Sequence, residues 1–296
     1  MIAAIVFTSL LAGAGAARGQ ELEPRIFAPL PEGLNFFAVG YLLSSGNVFL
    51  DPALPIENLD GDVHIAVLRY LRSLSLGNRP AKLRVVLPWS AGSWDGEVLG
   101  QEESRRASGM GDIRIILDVT LSGASAMSRE EFQGFEAGTI SGVRVQVVAP
   151  TGKYEPEELL NVGSNRWAIN LQGGVSHRFQ RWTLEANAGI WLFTDNEDFL
   201  GNLRLEQNPL ATVKINMVRS VRPGFWFSFS GGFGYGGRTT VEGIVRDTLQ
   251  RNIRLAFNLA YPLSKRTGLG VSLVSSHNLG AGAQYNALGL AYQFQW

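Results

Sequence analysis

The feature that most constrains the fold of this chain is a strict alternation of large apolar residues with small or polar residues over positions 288–296. Successive side chains of a β-strand point to opposite faces, so this alternation gives a strand one apolar face. Its aromatic residues gather towards the end, as expected for the closing strand of an outer-membrane barrel at the periplasmic interface. A strand of a soluble all-β protein is the alternative. The apolar face consists of Leu288, Leu290, Tyr292, Phe294 and Trp296, and the other face of Gly289, Ala291, Gln293 and Gln295.

The same two-residue period recurs along most of the chain. In several segments charged residues occupy every second position, with aliphatic residues between them. This pattern is costly in a soluble core, but it suits a barrel with lipid outside and a polar interior. We therefore predict an all-β fold, a transmembrane antiparallel β-barrel of about twelve strands with short periplasmic turns and long outer loops. The predicted strands are residues 34–44, 63–74, 81–91, 112–122, 143–147, 166–172, 182–192, 211–217, 225–235, 252–261, 269–273 and 288–296.

The connections between these segments alternate in length, which is independent support for a membrane barrel. Short and long connections alternate in phase if both termini lie in the periplasm. Residues 123–138 are the exception, because they are long for a periplasmic turn; we predict a helix over 128–135, with Ser128 as N-cap and Glu131 at the capping-box position. The short connections are 77–78, 179–180, 222–224 and 263–267, and the long ones are 47–62, 91–111, 151–165, 194–209 and 236–250.

Composition excludes several classes of protein. The 296 residues include 26 Lys and Arg against 26 Asp and Glu, so no basic excess points to a nucleic-acid partner. A mean hydropathy of +0.05 is too low for a bundle of membrane-spanning helices. The chain contains 0 cysteines, which removes disulfide bonds, cysteine metal sites and thiol nucleophiles. We expect no cofactor.

The N-terminal residues have the pattern of a secretory signal. An apolar run ends in small residues, and we expect cleavage between Ala16 and Gln20 after Sec-type export, with the bacterial outer membrane as destination. An N-terminal anchor helix is the alternative. The expected organisation is a signal peptide over residues 1–19, a periplasmic or lumen segment over 20–32, and the outer-membrane barrel over 33–296.

Charged residues on the predicted inner faces are the candidate functional residues. They could form a paired network that fills and stiffens a narrow barrel. They could equally line a polar pathway that selects small solutes, favouring anions because basic residues are more numerous. The predicted lumen-lining residues are Lys82, Arg84, Asp112, Arg114, Asp118, Arg144, Glu185, Lys214 and Arg254.

Aromatic residues on the predicted outer faces are expected to lie at the membrane interfaces. The partners implied are outer-membrane lipid and lipopolysaccharide, the barrel-assembly machinery acting through the C-terminal strand, and a small-molecule solute. The predicted interface aromatics are Trp89, Trp182, Tyr261, Tyr292, Phe294 and Trp296.

Two motifs resemble sites of other kinds. Residues 232–237 have the glycine spacing of a dinucleotide loop, but no helix follows, so a glycine-rich inner face is the better interpretation. Residues 275–278 contain the Ser, His and Asn of a lipid hydrolase, but neighbouring residues of a strand point in different directions, so we assign no catalytic residue. The three histidines lack metal-ligand spacing, and no metal site is expected.

Distinctive short stretches occur at residues 33–36, 44–48, 51–52, 92–96, 150–156, 161–167, 193–196, 198–199 and 236–240. Together they resemble the family of outer-membrane proteins named for the meta-pathway of phenol degradation, which are also called transporters, and the resemblance runs over residues 33–296. It implies an outer-membrane β-barrel with a part in the uptake of aromatic or other hydrophobic compounds, and it supplies no catalytic or binding residues.

The leading hypothesis is therefore a non-enzymatic outer-membrane channel or transporter for passive or gated uptake of small aromatic or hydrophobic molecules. A non-conducting structural or surface barrel, filled by its own charges and by residues 21–31, is the alternative. A lipid-modifying enzyme is a weaker alternative.

Overall fold

The computed structural model describes residues 21–47, 53–54, 56–98, 100–281 and 283–296. The predicted signal peptide over residues 1–19 lies outside the described residues. No helix in the described part of the chain is long and apolar enough to cross a membrane.

Twelve strands form one closed antiparallel barrel, which confirms the predicted fold class. The barrel closes because the first strand pairs with the last as well as with the second. The barrel strands are β1 (Asn35–Asn47), β2 (Ile56–Leu76), β3 (Arg79–Val98), β5 (Arg114–Ser122), β6 (Thr139–Val148), β7 (Ala168–Phe179), β8 (Trp182–Phe193), β11 (Leu210–Arg222), β12 (Phe225–Gly236), β15 (Gln250–Pro262), β16 (Thr267–Asn278) and β17 (Gln284–Gln295). The remaining elements are β4 (Gln101–Met110), α1 (Arg129–Gly134), β9 (Asn196–Phe199), β10 (Leu203–Gln207), β13 (Thr239–Val241) and β14 (Ile244–Val245).

The closing strand behaves as its alternation predicts. Along β17, exposed and buried residues alternate from Leu288 to Gln295. Its partner β1 runs antiparallel, from Phe36 opposite Gln295 to Asn47 opposite Gln284. The backbones of Asn35 and Trp296 also exchange hydrogen bonds of 3.1 Å, so the ladder continues to the last residue.

The barrel extends beyond the predicted strands on its outer side. Residues 91–111 were predicted as a loop, but β3 and β4 pair as a hairpin from Trp89–Met110 to Val98–Gln101. The connections 194–209 and 236–250 likewise contain β9, β10, β13 and β14, which form a separate four-stranded sheet. These segments reach past the expected lipid level, so neither face has to be apolar and the alternation that reveals a strand in sequence is lost.

The long periplasmic connection contains the predicted helix. In α1, the Ser128 hydroxyl accepts a hydrogen bond from the Glu131 amide (3.2 Å), and the Glu131 carboxylate accepts one from the Ser128 amide (2.7 Å). The bond from the Ser128 amide to the carboxylate, with the Ser128 side chain beside it, lowers the pKa of Glu131. The capping box is therefore confirmed, and it makes a very short helix possible because it satisfies amides that have no partner within the helix.

The outer wall carries exposed apolar side chains, including five of the six predicted interface aromatics; the sixth, Trp182, is half-buried, with the guanidinium of Arg219 over its ring. Most of the six lie close to the periplasmic strand ends, where Phe294 and Trp296 stack with ring centroids 5.7 Å apart. Trp89 lies about one membrane thickness away, because a tilted strand crosses the bilayer in about 9–11 residues. Trp167, which is 49% exposed just before β7, lies at the same outer end and was not among the predicted interface aromatics.

Candidate functional site

Residues 21–32 lie inside the barrel and fill the middle of its lumen; we call this segment the plug. Leu22, Ile26 and Phe27 are almost completely buried. The plug makes polar contacts with side chains of β3, β5, β6, β8 and β11, so it touches the wall on several sides. The sequence did not decide whether residues 20–32 lie in the periplasm or in the lumen. In the structure, residues 21–32 lie in the lumen.

Two carboxylates and two guanidinium groups form a closed ring at the centre of the lumen. Glu23 of the plug pairs with Arg84 through one oxygen and with Arg144 through the other, at 2.7 Å for Arg144. Asp118 of β5 pairs with the same two arginines and lies 2.6 Å from the Nε atom of Arg144. All four side chains are at most 4% exposed. Charge-assisted bonds of this kind hold an ion pair where water cannot solvate it.

Further polar contacts hold the plug on both sides of this ring. The backbone amide of Arg25 donates to both carboxylate oxygens of Glu185, at 3.0 and 2.8 Å. The Lys82 ammonium donates to the carbonyl oxygens of Ile26 and Ala28, at 3.0 Å for Ala28. A further ion pair joins Glu21 of the plug to Arg114 of β5. The wall thus binds backbone groups of the plug as well as its side chains, and this fixes the path of the segment.

Glycines in the wall make room for the apolar side chains of the plug. A Cβ atom on Gly142 would lie 2.3 Å from Cδ1 of Phe27, and one on Gly174 would lie 2.8 Å from its Cε2. Likewise, a Cβ atom on Gly232 would lie 2.7 Å from Cδ2 of Leu22. The glycine run at 232–237 is therefore part of an inner face, as predicted, and its first glycine borders the plug.

Ser73 of β2 fixes the junction between the plug and β1. Its hydroxyl donates to the carbonyl oxygen of Pro31 (2.5 Å) and accepts from the amide of Leu34 (2.9 Å). The side chain is 2% exposed. The chain therefore turns from the lumen into the wall at a defined point.

The predicted lumen residues are all buried, but Asp112 lies outside the barrel strands. Asp112 precedes β5 and accepts hydrogen bonds from the Gly152 amide (3.0 Å) and from the amide and hydroxyl of Ser164 (3.0 and 2.7 Å). β5 begins two residues later than the alternation suggested, so Asp112 lies outside the strand. There it fixes the outer loop 151–165. The other eight, Lys82, Arg84, Arg114, Asp118, Arg144, Glu185, Lys214 and Arg254, lie in barrel strands.

Lys214 and Arg254 face the lumen but are not members of the ring. Lys214 donates to the side-chain oxygen of Gln172 at 2.9 Å. Arg254 donates to the hydroxyl of Ser276 at 3.4 Å and lies over the ring of Tyr285, 5.5 Å from its centroid. The structure therefore brings three of the predicted arginines and two of the predicted carboxylates to the ring and the plug, together with Lys82. It places Lys214 and Arg254 on the strands beside Gly232, where they face the plug without belonging to the ring.

Part of the inner wall is apolar, which the sequence did not reveal. The buried side chains of Val63, Ile65 and Val67 in β2 belong to one hydrophobic cluster with Leu22 of the plug. The cluster continues to residues of the outer loops. Its further members include Val86, Trp94, Ile116, Leu160, Phe199, Leu205 and Val241.

A cavity of about 480 Å³ lies between the plug, the α1 connection and the periplasmic ends of the strands. Its lining includes four arginines, one carboxylate and several aromatic rings, namely Arg25, Arg178, Arg181, Arg222, Glu185, Phe135 and Trp226. The guanidinium of Arg25 lies 5.6 Å from the Trp226 ring centroid. A space of this size and composition can hold a small aromatic anion.

The hydrolase-like motif has a geometry that the sequence argument did not foresee. Ser275 and His277 both face outwards, because they are two residues apart in β16, and Oγ lies 3.1 Å from Nε2. The serine hydroxyl donates to Asn286 of β17 at 2.8 Å, so its one proton is directed away from the imidazole. A general base has to accept that proton, and this arrangement does not offer it.

No group of three or more His, Cys, Asp or Glu side chains could hold a metal ion within the described ranges.

Comparisons with known proteins are consistent with the barrel. A family model described as "Putative MetA-pathway of phenol degradation" matches residues 51–294. The chain is similar to the COG4313 outer membrane channel from Pseudomonas putida F1, with 20% identity and a TM-score of 0.76 over 93% of this chain and 100% of that one. No curated protein sequence matches the chain.

Two autotransporter barrels are more distant neighbours. The β domain of the Bordetella autotransporter BrkA has 10% identity and a TM-score of 0.52, over 90% of this chain and 100% of that one. The transport unit of AIDA-I from Escherichia coli has 7% identity and a TM-score of 0.50, over 91% and 92%. These likenesses establish the outer-membrane barrel fold.

Proposed function

This chain belongs to the phenol MetA-pathway family, and from that premise we propose that it is a channel of the bacterial outer membrane for the gated uptake of small aromatic or other hydrophobic molecules. Its export by the Sec pathway, its insertion by the barrel-assembly machinery through β17, and its contacts with lipid and lipopolysaccharide belong to the same proposal. The outward apolar belt and the aromatic residues at its edges support the location.

The observation that carries the proposal is that a separate chain segment, and not the wall, fills the middle of the lumen. Ordering this segment costs conformational entropy, which a barrel could avoid by filling its lumen with wall side chains. The wall instead has glycines where Phe27 and Leu22 insert. Movement of the plug would therefore leave an open passage, so we infer that the plug is the gate.

The apolar part of the inner wall supports a hydrophobic cargo. The cluster that joins the outer loops to Leu22 offers a solute a continuous series of apolar contacts down to the plug. Apolar contacts of this kind favour partition of an aromatic ring out of water. A channel for small hydrophilic ions alone would gain nothing from them.

A disulfide lock tests the proposal. A Cβ atom on Gly142 would lie 2.7 Å from Cγ of Phe27, which places the two Cβ atoms within reach of the roughly 3.5–4.5 Å that a disulfide needs. The protein contains 0 native cysteines, so the double variant F27C/G142C would form no other bridge within the chain. Uptake of benzoate and benzyl alcohol into liposomes is measured for the oxidised and the reduced form of the same preparation.

We expect uptake through the reduced protein and a strong reduction on oxidation, while wild type is unaffected by the oxidant. Heat-dependent migration on a detergent gel verifies that each form is a folded barrel. Equal uptake in both forms would show that the plug is no gate. No uptake in either form would favour the alternative, a structural barrel that does not conduct.

A further inference from the structure

The inner wall has an excess of positive charge that the plug partly balances. Among the described strand residues that are buried in the lumen, the basic ones are Lys82, Arg84, Arg114, Arg144, Lys214 and Arg254, and the acidic ones are Asp118 and Glu185. The plug adds the carboxylates of Glu21 and Glu23, which pair with three of the arginines. If the plug leaves, these guanidinium groups lose an anionic partner while they remain close to one another, and that loss is unfavourable.

The place that Glu23 occupies is a receptor for one carboxylate. Asp118 uses NH2 of Arg84 and Nε of Arg144, and Glu23 binds the remaining NH1 group of each arginine. The wall carboxylate thus orients both guanidinium groups, and each oxygen of the Glu23 carboxylate has its own arginine. Planar guanidinium groups fixed in this way recognise carboxylates more specifically than a lysine does.

An apolar surface lies beside this receptor. Leu22, the residue before Glu23, is 0% exposed and packs in the cluster that includes Val63 and Val67. A ligand that reached the ring from the outer side would therefore place a charged head at the arginines and an apolar body against aliphatic side chains. The plug itself presents this combination through Leu22 and Glu23.

We propose that the cargo is an organic monocarboxylate with an apolar body, and that its carboxylate replaces that of Glu23 between Arg84 and Arg144 and so releases the plug. This inference rests on the proposed function. A neutral molecule cannot compensate the two guanidinium groups, and a cation is repelled by them, so neither releases the plug. The exchange keeps the charge of the ring constant while the plug moves, which is what makes opening selective.

The periplasmic cavity is consistent with the same cargo. Its volume of about 480 Å³ suits a small ligand, and Arg178 and Arg181 line it together with the aromatic rings of Phe135 and Trp226. A carboxylate that has passed the ring therefore meets further arginines and aromatic faces on its way to the periplasm.

The test compares three solutes of similar shape, namely benzoate, benzyl alcohol and benzylamine, by calorimetric binding to the folded protein. In wild type we expect benzoate to bind best. E23Q removes the internal competitor and should raise benzoate affinity about tenfold or more, with little effect on benzyl alcohol. R144Q should lower benzoate affinity by a similar factor. R254Q is the matched control, because it removes a lumen arginine that donates to Ser276 and is not a member of the ring, and it should change benzoate affinity less than about threefold.

Liposome uptake separates failure of this inference from failure of the proposed function. If all three solutes pass equally and E23Q leaves their ratio unchanged, the carboxylate cargo is wrong although the gated channel stands. If no solute passes even through reduced F27C/G142C, the channel itself is wrong. R144K is a second variant that serves if R144Q does not fold, because it keeps the positive charge but loses the planar fork. Unchanged benzoate affinity in a folded R144K barrel would also contradict the proposal.

Discussion

The ring of Phe27 lies against the bare backbone of Gly142, so closely that a Cβ atom on Gly142 would stand 2.3 Å from the ring. The contact joins a residue of the plug to a wall residue that has no side chain. A larger residue in place of Gly142 should therefore displace the plug before it disturbs the barrel strands.

We expect G142A to displace the plug and to raise uptake of small solutes, because the added methyl group overpacks the contact by about 1–3 kcal/mol. F27A alone should also loosen the plug, since the ring loses its burial. The double variant F27A/G142A should be less perturbed than the sum of the two, because the alanine at 27 leaves space for the methyl group. G173A is the control, as a Cβ atom there would meet nothing within 4 Å. Strict additivity, or equal effects of G142A and G173A on uptake, would contradict the contact.

The outer loop 151–165 should depend on Asp112. D112A leaves the partly buried amides of Gly152 and Ser164 without their acceptor, which costs on the order of 1 kcal/mol. We therefore expect trypsin to cleave after Lys153, an exposed residue of this loop, about tenfold faster or more than in wild type. D195A is the comparison, because Asp195 pairs with Arg204 in another outer connection. If D195A accelerates cleavage after Lys153 as much as D112A does, Asp112 does not fix the loop.

Lipid exposure of β17 can be measured by placing an arginine at two depths. Leu290 is 55% exposed near the middle of the strand, and Tyr292 lies nearer the periplasmic end. L290R should reduce the free energy of unfolding in lipid by about 2–4 kcal/mol, whereas Y292R should cost less because the side chain reaches the interface. Denaturant titration of both variants in the same vesicles gives the comparison. An equal or smaller loss for L290R would mean that the depth assigned to the strand is wrong.

The helix α1 should be sensitive to acid. Hydrogen bonds from the backbone amide and the side chain of Ser128 lower the pKa of Glu131 below its ordinary value of 4.5. The ionised carboxylate accepts the capping bond, so its stabilisation is complete above that ordinary value and is lost as the pH falls through the lowered pKa. Carbon chemical shifts of residues 129–134 should report loss of helix over this acid range. S128A should show less helix at neutral pH and a smaller change on acidification; an unchanged titration would contradict the cap.

Much of the wall could be predicted from local sequence because each strand has its own alternation. The aromatic face of β17 and the capped helix α1 both follow from neighbouring residues. The hairpin β3–β4 could not be predicted in this way, since its residues lack an apolar face. Its pairing depends on backbone hydrogen bonds that side-chain periodicity does not record.

The alternation by itself determined that Arg84, Asp118 and Arg144 face inwards, because orientation in a strand changes with every residue. Only the tertiary structure decided that these side chains meet one another and that Glu23 completes their ring, since Glu23 is 61 residues from Arg84 and 121 from Arg144. The meeting depends on barrel closure and strand stagger, and on the path of a plug that has no periodicity of its own. The sequence of each strand therefore determines which side chains point inwards, whereas closure of the barrel brings those side chains together around the plug.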